Sequence, residues 1–274
     1  MAEETGIQDE LNFRALSPFG VEVLRDLNQP FSPAEEDHFR HLFNRHGLIL
    51  ARGQDLSMER QRAVCALLGP ILLREGEDGY MTNEAGGASA SALSWHSDAA
   101  YTEDPFDALA LHALDVVDDA SSTLFVSAED AADALPDHLR GLLQGREQEM
   151  ISPHYTAIAG RTCDARDPAA MKRGTRPALF TNPHNGRTCL WVSELQTARL
   201  EGMDWEDSRD TLHALFDHLY APERVLEHRW RKGDIVIWDN IALQHARGNT
   251  EDVGKRLLQR AIVGVAGVAP HVAQ

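Results

Sequence analysis

Cysteine is scarce in this chain. Only Cys65, Cys163 and Cys189 occur among 274 residues, widely spaced and with no C-x-x-C. An odd, scattered set supplies no disulfide framework, so reduced and buried thiols are expected. No apolar run approaches the roughly 20 residues that span a bilayer. The start, "MAEETGIQDEL", is acidic and lacks the apolar stretch of a signal peptide. A soluble, cytoplasmic protein with no membrane partner is the expectation. Basic residues are also few, 26 Lys and Arg against 43 Asp and Glu, for a net charge of −17. A surface of that sign repels a duplex or an anionic bilayer, which argues against nucleic acid as a partner. It does not exclude a small anionic substrate held by local arginines. There is no internal repeat and no strand–helix series with a glycine-rich phosphate loop.

What is present reads as strands with flanking helices. Residues 1–12 look like a loosely ordered polar tail. In "SPAEEDHFRHLFNRHG" Ser32 is the expected N-cap, Pro33 the first helical residue, Glu35 the partner in a capping box and Gly47 the stop. "LILARG" reads as a buried strand and "SMERQRAVCALLGP" as a second helix. "AEDAADALPDHLRGLLQG" is helical with a break at Pro136, and "SRDTLHALFDHLYAPE" is a helix stopped by Pro222. "ALALHALDVV", "TLFVS", "VLEHRW", "DIVIWDN" and "LLQRAIVGVA" read as strands, and "PALFTNPHNGRTCLWVS" as two strands around Asn185-Gly186. The pattern suits a single mainly β domain over 1–274, a double-sheet jelly roll with flanking helices. Residues 76–94 and 146–178 have weak periodicity and are expected to form active-site loops.

Within this frame "LSWHSDAAY" places His96 and Asp98 two residues apart. On a strand such residues share a face, about 6.5–7 Å apart, and can converge on one ion at roughly 2.0–2.2 Å. His245, in "DIVIWDNIALQHARGN", is the best third ligand, because an adjacent strand near one barrel end could present it beside the pair. Two imidazoles and one carboxylate leave three positions open, the arrangement of non-haem Fe(II) oxygenases. A zinc hydrolase or a cupin-like isomerase with the same triad, and a non-catalytic ligand-binding relative, are the alternatives. With 13 histidines in the chain, most need other readings. His112 reads as a core histidine, while His154 and His184 fall in loops near the expected barrel mouth. Trp238 reads as core, and Asp239 and Asn240 as turn-forming.

Several motifs then align in order: "HFRHLFNRHGLILARGQDLSMERQRAVCALLGPI", "WHSDAAY", "SSTLFVSAEDAADALPD", "HNGRTCLWV", "WRKGDIVIWDNIALQHARGN" and "KRLLQRAIVG". Together the sequence resembles the taurine dioxygenase and phenoxyalkanoate dioxygenase family of Fe(II)/2-oxoglutarate-dependent enzymes, from about Gly20 to Gly264. The resemblance implies a double-stranded β-helix (cupin-like) fold, Fe(II) as cofactor, and 2-oxoglutarate and O2 as co-substrates. It implies that His96, Asp98 and His245 are the iron ligands. Thr123 and Arg256 match the residues that hold the far carboxylate of 2-oxoglutarate, and Arg260 a residue that holds the substrate anion. Arg256 and Arg260 are four apart on a strand and so face one side. Tyr80, Met81 and Asn83 are expected along the substrate pocket by position.

The implied reaction hydroxylates a small organic anion, releasing succinate and CO2. Cleavage of a C–O or C–N bond follows where the new hydroxyl lies beside a heteroatom. Asp98 fills the position that halogenases of this type leave for chloride, which favours hydroxylation. One departure bears on the substrate. Between Leu72 and Ser94 there is no histidine, where the taurine enzyme has a substrate-binding one, so taurine is disfavoured. An even-numbered homo-oligomer is the default expectation.

Overall fold

The computed structural model describes residues 11–73, 79–84, 91–151 and 173–265. Strands β1 (Phe13–Ala15) and β2 (Val21–Val23) lead into helix α1 (Pro33–His46) and β3 (Leu48–Ala51). After α2 (Met58–Cys65) come β4 (Tyr80–Thr82), β5 (Leu93–His96), β6 (Ala108–Val116) and β7 (Ser122–Ser127). Helices α3 (Ala128–Asp133) and α4 (Asp137–Leu143) precede β8 (Glu147–Ile151), β9 (Arg173–Pro177), β10 (Leu179–Thr181), β11 (Thr188–Leu190) and β12 (Thr197–Leu200). Helix α5 (Trp205–Leu219) is followed by β13 (Leu226–Arg229), β14 (Ile235–Asp239), β15 (Leu243–Arg247) and β16 (Arg256–Val263).

The strands form a jelly roll of two principal sheets. The larger has the order β1-β2-β3-β14-β6-β16-β4, and the smaller β13-β7-β15-β5. Strand β14 is buried at all five positions, because sheet covers it on both edges and side chains on both faces. Its residues split by parity. Ile235 and Ile237 join Phe39, Leu42, Val64 and Cys65 under α1 and α2. Val236 and Trp238 point the other way, into the space between the sheets, with Phe125, Leu243 and Leu258. That inter-sheet layer is where a ligand has access to both sheets.

Helix α1 forms as its sequence dictates. Ser32 accepts from Glu35 N–H at 3.2 Å, Glu35 returns to Ser32 N–H at 2.7 Å, and Gly47 ends the helix at φ +70°. Helix α5 starts at Trp205, earlier than "SRDTL" suggested, because Asp204 caps Asp207 N–H. The Asn185-Gly186 turn is real but wide, since the β10–β11 register closes at Thr181 and Thr188.

Three expectations need correction. Leu11 does not belong to a polar tail: it is buried, and its N–H donates to His38 Nδ1 at 3.0 Å. Residues 1–10 lie outside the described residues. The 76–94 stretch contains β4, and β5 begins at its end. The 146–178 stretch is bounded by β8 and β9, which pair antiparallel with Glu147 opposite Pro177. Backbone pairing with distant strands, rather than side-chain periodicity, makes these short strands. Residues 76–78, 85–90 and 152–172, with His154 and Cys163 among them, lie outside the described residues.

Candidate metal centre

Strand β5 ends on His96, and β15 runs beside it with His245 opposite His96 in register. The two rings lie 4.2 Å apart between centroids. Asp98 is not on the strand, as its spacing had suggested, but in the turn that follows. Ala99 turns the chain with φ +58°, a left-handed conformation that a non-glycine residue adopts at some cost. Asp98 Oδ1 is thereby 3.1 Å from His96 Nε2 and 3.9 Å from His245 Nε2. One ligand atom from each residue lies within 4.8 Å of the others. His96 Nδ1 sits 2.8 Å from the Ser94 carbonyl, so it carries the proton and leaves Nε2 free to donate to a metal. Trp238 packs edge-on against His245 at 5.1 Å and fixes that ring.

The backbone of the triad is held as well. Asn240 Oδ1 accepts from Asp98 N–H, and Asn240 Nδ2 donates to the carbonyls of Asp98 and Phe106. Gln196 Nε2 donates to the Ser97 carbonyl at 2.9 Å, and Ser97 Oγ to the Leu243 carbonyl at 3.1 Å. Burial lowers the His245 imidazole to about 3, so it is neutral and available as a ligand at neutral pH. Burial opposes ionisation of Asp98. The contact with His96 and the positive charge of Arg260 outweigh it and hold this carboxyl well below the usual range. Two imidazole nitrogens and a carboxylate form a donor set that fits a divalent first-row metal.

The triad opens on a cavity of about 390 Å³ between the two sheets. Met81, Leu93, Phe106, Leu195 and Trp238 supply apolar wall, and Thr123, Arg247, Arg256 and Arg260 supply polar groups. A register shift between Leu257 and Leu258 skips Leu114 on β6. The extra residue is on β6, so β16 alternates undisturbed, and Arg256 and Arg260, four apart, line the same cavity. Arg256 is only 1% exposed, and no hydrogen bond or ion pair of its guanidinium is found among the described residues. Burial, then the neighbouring charge of Arg247, pushes it down to about 10. Arg247 donates through Nη2 to the Ser91 carbonyl at 2.7 Å, while its buried Nε has no partner among the described residues. Among the described residues neither guanidinium has an ion-pair partner, and the two line one cavity as a socket for an anion. Thr123 is buried beside it and accepts from Trp230 Nε1 at 3.0 Å.

Of the residues expected along the pocket, Met81 lines the cavity and Tyr80 and Asn83 do not. Alternation on β4 turns Tyr80 outward, 45% exposed. Asn83 instead bonds the carbonyls of Thr250 and Gly254 and accepts from Arg256 N–H at 2.9 Å, so it secures the backbone that carries Arg256. His112 is a core histidine, bonded to the Gln54 carbonyl. His184 lies away from the cavity wall, between Asp107 and Asp239. Sequence reasoning missed Arg247, Asn240 and Gln196. Arg247 had a signal, because it stands two residues after His245 on the same strand and so shares its face.

Comparison with known proteins adds to this geometry. A sequence model of the taurine catabolism dioxygenase TauD, TfdA family matches residues 12–262. The α-ketoglutarate-dependent 2,4-dichlorophenoxyacetate dioxygenase of Cupriavidus pinatubonensis is 28% identical over 269 residues, covering 88% of this chain and 92% of that one. Pentalenolactone F synthase of Streptomyces avermitilis is 28% identical over 271 residues, covering 93% and 85%. The crystal structure of a taurine dioxygenase from Burkholderia xenovorans superposes with a TM-score of 0.77 at 21% identity, covering 95% and 93%.

Proposed function

As the chain belongs to the TauD/TfdA family of α-ketoglutarate-dependent dioxygenases, we infer that it is an Fe(II)- and 2-oxoglutarate-dependent oxygenase of a small organic anion. The reaction hydroxylates the substrate and releases succinate and CO2. Cleavage of a C–O or C–N bond follows when the new hydroxyl lies beside a heteroatom. The observation that carries this reading is one cavity with a His-Asp-His cluster on one wall and the unpaired Arg256 on another. A metal-chelating dianion of about five carbons has use for both.

His96, Asp98 and His245 would hold Fe(II), which supplies O2 activation when bound. Arg256, with Thr123, takes the far carboxylate of 2-oxoglutarate. The guanidinium provides two parallel donors, and the hydroxyl a third. Arg260 takes the anionic group of the substrate, and Arg247 adds positive potential between that group and Arg256. The apolar wall around Leu195, Phe106 and Met81 orients the substrate body and excludes water from the reacting face. The two curated relatives share about the same identity with this chain yet are named for different compounds. The wall residues rather than the triad therefore set which anion enters.

The test is a screen of carboxylates, sulfonates and sulfate esters for stimulation of succinate release in the presence of Fe(II), 2-oxoglutarate and O2. One class should stimulate, and Arg260→Ala should remove the stimulation. Absence of succinate under every combination would count against the reading.

A further inference from the structure

The loop between β10 and β11 holds a histidine that the site described above does not use. His184 Nε2 donates to Asp107 Oδ1 at 3.2 Å, and its Nδ1 lies 3.6 Å from Asp239 Oδ2. Asp239 is 1% exposed, and among the described residues its one ion pair is with His184. Its other contacts are neutral. Ile241 and Ala242 N–H groups donate to Oδ1, and Asn182 Nδ2 donates to Oδ2 at 3.3 Å. The two residues whose carboxylates His184 joins both adjoin Asn240. Asp239 precedes it in the chain, and Asn240 N–H donates to the Asp107 carbonyl at 3.0 Å. Asn240 in turn bonds both polar groups of the Asp98 backbone. The loop itself is anchored elsewhere: Arg187 pairs with Glu129, Asp130 and Asp133 on α3. His184 therefore has a support on α3 in addition to the Asn182 contact with the turn it bridges.

We propose that His184 is a positioning residue for the metal centre: as a cation joining Asp107 to Asp239 it fixes Asn240, and through Asn240 it fixes the peptide of Asp98. The physical case is the cost of an unpaired buried charge. Without His184 the Asp239 carboxylate keeps only neutral donors in a site closed to water. Its neighbours must then shift toward it to make up the lost contact, or water must enter. Such a rearrangement reaches the turn at Ile241 and Ala242 and the amide of Asn240. A ligand carboxylate that must sit within tenths of an ångström of its working position is sensitive to such a shift.

The inference rests on the reading of His96, Asp98 and His245 as a metal centre, and the test separates the two. The full chain is stripped of metal and titrated with Co(II), read by its visible absorption and by calorimetry. Wild-type protein that binds no divalent metal would overturn the metal reading itself. Given wild-type binding, His184→Gln should weaken Co(II) about tenfold, and His184→Lys, which restores a cation, should stay within about threefold of wild type. The effect should depend on Asn240. In an Asn240→Ala background the His184→Gln loss should shrink to less than about twofold, because the connecting residue is gone. Wild-type affinity in His184→Gln, a full additional loss in the Asn240→Ala background, or no recovery with lysine would each overturn the proposal.

Discussion

Asn240 holds Asp98 by both polar groups of its backbone, accepting from its N–H at 2.8 Å and donating to its carbonyl at 2.9 Å, across 142 residues of chain. Asp98 sits after the end of its strand, so no ladder bond fixes it there. The side-chain amide of Asn240 replaces that ladder bond. Asn240→Ala should leave the fold intact and weaken divalent metal binding by about ten- to a hundredfold. Equal affinity in a metal titration of variant and wild type would contradict this role.

Arg256 is a buried guanidinium without a partner among the described residues, and such a charge destabilises the protein that carries it until an anion arrives. Adding 2-oxoglutarate should therefore raise the melting temperature of the metal-loaded wild type. Arg256→Met should melt higher than wild type without ligand, gain little with it, and need far more 2-oxoglutarate for turnover. A variant that melts lower and still responds to 2-oxoglutarate would assign the carboxylate to another residue.

His184 makes a pH-dependent contribution to stability. The hydrogen bonds to Asp107 and then Asp239 raise its imidazole to about 10 against the effect of burial. An unfolded histidine titrates near 6.5, so the folded state binds the extra proton. The stabilisation is complete below about pH 6.5 and fades as pH rises toward about 10. In melting curves across that window the wild type should lose stability relative to His184→Gln. Parallel curves would contradict it.

Gly174 on β9 meets the carbonyl of Tyr101, and a Cβ placed there would overlap that oxygen. Tyr101 follows the turn that carries Asp98 and lines the cavity. Gly174→Ala should cost about 1–3 kcal/mol. It should also move Tyr101, seen as a change in substrate KM larger than any change in the 2-oxoglutarate requirement. An alanine variant with wild-type stability and KM would refute the close contact.

The sequence made the helices and the long strands legible because their signals are local. Ser32, Glu35 and Gly47 fix the ends of α1 within one segment. The short strands β1, β2 and β4 carry three residues each, too few for a period. The pairing that defines them comes from distant chain. Asp239 and Asn240 show the same division. Reading Asp239 as a turn former was sound, since it caps Ile241 and Ala242. The partners of Asn240 on Asp98 and Phe106 are long-range, and nothing near it in the chain announces them. His96 and Asp98 could be picked out by spacing, although the turn at Ala99, rather than strand alternation, aims the aspartate.

The central claim is tested most directly by oxygen uptake with the metal defined. Metal-free protein is supplied with Fe(II) or Zn(II), with and without 2-oxoglutarate, and O2 and succinate are followed together. The account predicts consumption of O2 and formation of succinate only with Fe(II) and 2-oxoglutarate both present, and neither in His96→Ala or Asp98→Ala. Full turnover in either variant, or activity with Zn(II) that needs no O2, would contradict it.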